Sequence, residues 1–261
     1  MDILAGTILL RPYVFGFLAA FLIAGAVDIG ARRTAIFMAW VWPVALLAEL
    51  SSTRIGVPFG LYHYTGSTRG QEVFVANVPL MDSLSVTFLA YAAFCMARAF
   101  LGARRSIEER DGFAGVPPRR RGSVELVSLS ASLMMLLDVV IDPVAIRGDR
   151  WFLGRIFYYA DGGEYFGVPL SNFLGWALVG AVGVGGYLVL AGDCPERRLW
   201  PGMALYYAVL SFSLGVTVWI GEWTLVALGV CIHAATAATL WSLSKRTGYR
   251  HELGTRGAEN A

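Results

Sequence analysis

Apolar residues in this chain run almost unbroken for about twenty positions at a time, separated by short polar or glycine-rich stretches. They neither alternate nor fall on a single helical stripe. A helix needs about 20 such residues to cross a hydrocarbon core about 30 Å thick. The runs cover about Leu9–Ile29, Thr34–Ser51, Leu80–Leu101, Val124–Ile146, Val168–Leu190, Gly202–Ile220 and Trp223–Leu243. Only Gly221 and Glu222 separate the last two, which predicts a tight helical hairpin. No longer period repeats. Met1-Asp2-Ile3 lacks the positive start of a signal peptide, so the first run is read as a retained span. The pattern predicts an all-α fold, a polytopic transmembrane helix bundle of about seven spans. Residues 1–243 form one transmembrane domain, and residues 244–261 form a polar tail.

Composition agrees. Of 261 residues, 56% are hydrophobic and 15% charged, against about 25% charged in soluble domains. That excludes a disordered chain, which needs low hydrophobicity and high charge. The net charge of +2 gives no case for nucleic-acid binding. The placement of charge predicts orientation. With the N-terminus outside, Arg32, Arg33, the arginines from Arg98 to Arg121, Arg197, Arg198 and the basic tail all fall on the cytoplasmic side. This is the positive-inside pattern, and it places the C-terminus in the cytoplasm of a multi-pass protein of the cell (inner) membrane. The basic loop from Gly102 to Gly122 is then a solvated determinant of topology. Cys95, Cys194 and Cys231 show no pairing or metal-site spacing.

Within the apolar runs, ionisable groups are few, and such groups are functional candidates by default. Glu49 lies near the outer end of the second run, Asp82 opens the third, and Asn172 is in the fifth. Asp138 and Asp142 lie four residues apart in the fourth, so they share one helix face. Two carboxyl groups facing each other in low dielectric do not both ionise easily, so one is expected to hold a proton beside a base. The alternative is a helix-end pair with Asp142 in interfacial water. With the orientation above, most of these groups fall in the outer half of the membrane and are expected to converge on one pocket. Asp28 is read as a surface ion pair with Arg32, His233 as a hydrogen-bonded packing residue, and Glu222 as a water-facing turn residue. His63, Glu49 and Asp82 are donor types that suit magnesium or manganese, but they carry no metal-motif spacing, and no metal is expected.

Two outer loops are rich in glycine and aromatics: Arg54 to Tyr64, and Phe157 to Pro169. Each loop region ends in Val-Pro-Leu as a span begins, at Val78-Pro79-Leu80 and Val168-Pro169-Leu170. Proline is tolerated in a helix's first turn. An interfacial aromatic belt accounts for the rings, but not for the Pro-Phe-Gly and Gly-Tyr detail. Glycines let backbone approach a ligand, and aromatic faces stabilise a cation.

Three blocks carry a resemblance. They are Glu49 with Pro58-Phe59-Gly60-x-Tyr62-His63-Tyr64, then Asp138-x-x-x-Asp142-Pro143-Val144-Ala145, then Tyr165-Phe166-Gly167-Val168-Pro169-x-x-Asn172-x-x-Gly175-Trp176. Together, over residues 40–180, they resemble the integral-membrane carotenoid biosynthesis protein family, whose characterised members include carotenoid hydratases. The chain is not acidic, which points to a bacterial rather than a haloarchaeal member. The resemblance implies addition of water across the terminal C1–C2 double bond of an acyclic carotenoid, without a cofactor. Asp138, Asp142 and Glu49 would be its acid–base groups. Tyr62, His63, Tyr64, Asp82, Tyr165, Phe166, Asn172 and Trp176 would line the substrate site. The partners it implies are the acyclic carotenoid, water, the lipid bilayer and other carotenoid-pathway enzymes. Two other readings use the same residues: a membrane terpene or carotenoid cyclase that quenches the cation internally, and a lipid or terpenoid transporter or binding protein.

Overall fold

The computed structural model describes residues 2–110, 121–192 and 198–258, with side chains over 2–102, 123–192 and 198–242. Cys194, Arg197 and residues 111–120 of the basic loop fall outside the described residues, as do the tail's side chains. The helices are α1 (Ile3–Leu10), α2 (Pro12–Asp28), α3 (Ala31–Ile55), α4 (Leu80–Arg110), α5 (Arg121–Ala145), α6 (Leu170–Ala191), α7 (Trp200–Trp219) and α8 (Trp223–Ala258). Six of these, α3 to α8, are long and apolar enough to cross a membrane, and the bent pair α1–α2 makes a seventh if counted as one span. The transmembrane bundle expected from the apolar runs is therefore present, although α4 continues past the predicted Leu101 to Arg110 and α8 past Leu243 to Ala258.

The first span departs from expectation. It is not one helix from Leu9 to Ile29 but two, bent by 89° at Arg11. Pro12 starts α2, at the position where a missing N–H costs nothing. Arg11, with φ −141° and ψ 59°, leaves helical geometry. Its guanidinium is 1% exposed. It pairs with Glu72 at 2.6 Å and Asp82 at 3.2 Å, and this ion cluster sets the bend.

Helix α4 is the axis of the bundle: 78% of its apolar window is buried, against 11% for α8. Small residues, Ala90, Ala92, Ala93 and Ala97, let its neighbours come close. From α7, a Cβ added at Gly202 would lie 2.3 Å from Cys95 Sγ, so glycine is required there. An aromatic cluster of Phe21, Phe37, Tyr91, Phe94 and Tyr187 fills the core around α4, with ring centroids 4.8 to 6.2 Å apart. Beside it Asp28 is fully buried. Its partner is not Arg32 but Arg98, at 2.5 Å, with the Tyr91 hydroxyl at 3.2 Å. The surface pair expected from adjacency gives way to a buried one because Asp28 closes α2 against α4. His233 contacts the Leu136 carbonyl at 3.0 Å, as a packing residue does.

At the other end, the glycine- and aromatic-rich loops form small strands. β1 (Tyr62–Tyr64) and a hairpin of β2 (Phe74–Val75) with β3 (Val78–Pro79) precede α4. After α5 comes β4 (Phe157–Tyr159), which pairs antiparallel with β1 in the register Tyr62 with Tyr159 and Tyr64 with Phe157. The two loops thus join over the bundle end.

Glu222, in the α7–α8 turn, does not stand free in water. It accepts from Arg150 and from Arg147 Nε at 3.3 Å. Partial burial opposes its charge, but hydrogen bonding from Arg150 and the charge of both guanidiniums outweigh this and hold its carboxyl below the ordinary value. A depressed carboxyl stabilises the fold above its unfolded value and loses that contribution as pH falls through the folded one. Thermal unfolding followed from pH 7 to pH 3 should therefore fall more steeply in the wild type than in Glu222→Gln. Identical slopes would show that this clamp does not contribute.

Candidate active site

The capped end holds an open cavity whose lining is mostly apolar and aromatic. Its carboxyl groups, with Asn172 and Trp176, come from four separate helices. Glu49 lies on the last turns of α3, and Asp82 on the first turn of α4. Asp142 lies one residue before Pro143 near the end of α5. Asn172 and Trp176 lie on the first two turns of α6.

Asp138 and Asp142 share one face of α5, as their spacing predicts. Asn172 Nδ2 donates to Oδ2 of both, at 2.7 Å each. The shared amide draws the two carboxyl groups together, and Trp176 lines the cavity with Asp142. Two carboxyl groups held together in low dielectric do not both ionise easily. Asp142 is on the cavity wall, and Asp138 sits one turn behind it, fully buried. Asp138 Oδ1 has no hydrogen-bond partner among the described residues. No cation pairs with either aspartate among the described residues. The helix-end alternative, with Asp142 in interfacial water, is not what is found: Asp142 is 8% exposed.

Opposite them, the Tyr64 hydroxyl donates to Glu49 Oε2 at 3.3 Å, and its ring packs edge-on with Tyr62. Burial, with Glu49 nearby, pushes both tyrosine hydroxyls well above their ordinary range, so they remain O–H donors. Strand alternation explains which residues of β1 take part. Successive side chains point to opposite faces, so Tyr62 and Tyr64 line the cavity while His63 does not. His63 packs beside Tyr158 instead, with centroids 5.9 Å apart.

The Pro-Phe-Gly and Asn-x-x-Gly-Trp blocks are in direct contact. A Cβ at Gly175 would lie 2.7 Å from both the Pro58 carbonyl and the Phe59 ring, so only glycine lets α6 close on that turn. The turn is held by Phe59 N–H donating to Ser52 Oγ at 2.9 Å, and the Phe59 ring packs on Trp176. Tyr165 and Phe166 were expected in the site but lie outside its lining. They pack on each other, on Phe173 and on Arg147, because Phe166, at φ 51°, turns its carbonyl to the Arg147 guanidinium at 2.9 Å. The sequence reading missed Arg11, Glu72 and Tyr159. For Arg11 the signal was there: an arginine inside an apolar run, followed at once by proline.

Buried hydrogen-bonded carboxyls beside aromatic faces can donate a proton to an apolar substrate and shelter the resulting cation. Comparison with known proteins is consistent with that chemistry. Residues 4–236 match a family described as carotenoid biosynthesis protein. The bisanhydrobacterioruberin hydratase of Haloarcula japonica is 27% identical over 205 residues. That match takes in 71% of this chain and 61% of the relative, so the chain spans about three fifths of the relative's length. No solved structure matches.

Proposed function

The chain belongs to the carotenoid biosynthesis protein family, and from that premise we propose that it is a carotenoid hydratase, adding water across the terminal C1–C2 double bond of an acyclic ψ-end. Membership carries the carotenoid-modifying role. The observation that carries the hydratase reading is the carboxyl pair Asp138–Asp142, tied to Asn172 at the wall of an aromatic-lined cavity.

Asp142 faces the cavity and is the proton donor. Its O–H bond breaks as the alkene π pair takes the proton at C2, leaving a tertiary cation at C1. Phe59, Tyr62, Tyr64, Tyr159 and Trp176 line the cavity and offer ring faces to that charge. The Asn172 N–H group stabilises the Asp142 carboxylate left behind. A water oxygen then bonds to C1, and its proton passes to a carboxylate of the cavity, Glu49 or the aspartate pair. The sum is alkene plus water giving a tertiary alcohol, with no electrons exchanged. The basic segments on one side support a cytoplasmic-membrane location with this cavity in the outer half of the bilayer. From there an apolar polyene reaches it laterally.

The test is expression in bacterial cells that accumulate lycopene, with pigments read by chromatography and mass spectrometry. The expected product is heavier by one or two waters. An isomer of unchanged mass would convert the reading to a cyclase. If every acyclic carotenoid offered were left unchanged, the enzyme reading would fall.

A further inference from the structure

The cavity has two acidic walls, and they differ in one respect. The Asp138–Asp142 wall has no cation among the described residues. The opposite wall has Arg11, which pairs with Asp82 at 3.2 Å and with Glu72 at 2.6 Å. Thr68 also donates to Glu72, so Glu72 is held from two sides and anchors the guanidinium behind the cavity. Asp82, Tyr64 and Glu49 all line the cavity, and the Tyr64 hydroxyl donates to Glu49 at 3.3 Å.

A guanidinium stays charged at any accessible pH. Burying one at a break in an apolar helix is expensive unless the charge is used. Two carboxyl groups, Glu72 and Asp82, pair with this single cation. A carboxyl facing a fixed positive charge is favoured as the carboxylate, whereas a pair of carboxyls facing each other must share a proton. The two walls are therefore suited to opposite halves of one acid–base reaction.

Resting on the hydratase reading above, we propose that Arg11 is a positioning residue that holds Asp82 as a carboxylate, making the Asp82–Tyr64–Glu49 wall the acceptor of the proton released by water. The balance is as follows. The aspartate pair gives one proton to C2. Water bonds to C1, and its O–H bond breaks toward the Asp82–Tyr64–Glu49 wall. Asp82 takes that proton, and Tyr64, donating to Glu49, stands on the same cavity wall. The cycle closes when that proton returns to the aspartate pair through cavity water.

This division of labour separates two observable events. Protonation of the alkene is reversible at the aspartate wall. In deuterium oxide it places deuterium at the terminal carbons of carotenoid that is recovered unhydrated. Alcohol formation needs the opposite wall as well. With detergent-solubilised protein and lycopene, Arg11→Met should therefore lower alcohol formation by about 10² or more, while deuterium uptake into recovered lycopene stays within a few-fold of wild type. Arg11→Lys should restore part of the alcohol formation, because it keeps the charge. Asp142→Asn should lose both signals. If Arg11→Met loses alcohol and deuterium together, or if Arg11→Lys restores nothing while both variants stay folded by thermal unfolding, Arg11 only holds the bend and the proposal is overturned. If the wild type itself gives neither alcohol nor deuterated substrate with any acyclic carotenoid, the hydratase reading has failed. Because the wild type reports on that reading separately, the two failures are distinguishable.

Discussion

Asp142→Asn is expected to reduce hydrated carotenoid by 10²- to 10⁴-fold, the range typical of a lost general acid. The substitution keeps the shape of the side chain and its place one residue before Pro143. It removes the proton that must reach C2. It also removes one of two acids that burial forces together, so the protein should remain in the membrane and melt no lower than the wild type. That combination matters, because a core substitution that lowered activity by unfolding would lower both. Asp138→Asn should do less. Asp138 is fully buried behind Asp142 and off the cavity wall, so its loss leaves the donor in place and removes only the partner that shares its proton. Pigment analysis of the two variants, normalised to membrane-inserted protein, checks the order. Hydration retained by Asp142→Asn would remove that residue from the chemistry, and a larger loss in Asp138→Asn would exchange the two roles.

The second large effect lies at the opposite end of the bundle. Arg98→Met leaves Asp28 fully buried with only the Tyr91 hydroxyl at 3.2 Å and the Cys95 thiol at 3.8 Å. Removing one partner of a buried ion pair costs about 3–5 kcal/mol, because the remaining charge is uncompensated. Replacing both partners is far milder, so Asp28→Asn combined with Arg98→Met should regain most of the loss. Denaturant unfolding in detergent measures all three chains. Equal destabilisation of the single and double variants would mean that the pair acts through packing alone. Protein that survives in either variant should still modify carotenoid at the wild-type rate per folded molecule, since this pair is remote from the cavity.

These two sites also mark how far the sequence could be read. Helices α3 to α8 are visible in it because unbroken apolar runs have one structural solution in a bilayer, where every backbone polar group must be satisfied within its own segment. The Asp138–Asp142 face was legible for a similar reason: a four-residue spacing on a helix fixes geometry without any tertiary information. What escaped depends on contacts between segments far apart. Asp28 stands four residues from Arg32 but pairs with Arg98, because helix packing overrides adjacency. Arg11 stands inside the first apolar run, and nothing local to it names its partners, Glu72 before β2 and Asp82 on α4. The loops read correctly as aromatic and glycine-rich, but the β1–β4 pairing that sorts Tyr62 and Tyr64 inward and His63 outward has no local signature. Tyr165 and Phe166 belong to the most specific of the three blocks and were natural candidates. The turn at Phe166 diverts them to Arg147, and a sequence motif does not record that turn.

The bend at Arg11 bears on how the chain is made. Arg11 emerges from the ribosome long before its counter-charges, Glu72 and Asp82, which follow 61 and 71 residues later. Until then, threading α1 and α2 through the bilayer as one straight rod would strand an unpaired guanidinium in hydrocarbon, at a cost of about 2.5–3.5 kcal/mol on insertion scales. The angle between the two helices lets α1 wait at the headgroup level with Arg11 in water. The pair then settles when α3 and the start of α4 arrive. The same residue that shapes one wall of the cavity thus ties the docking of α1 and α2 to the arrival of Glu72 and the start of α4.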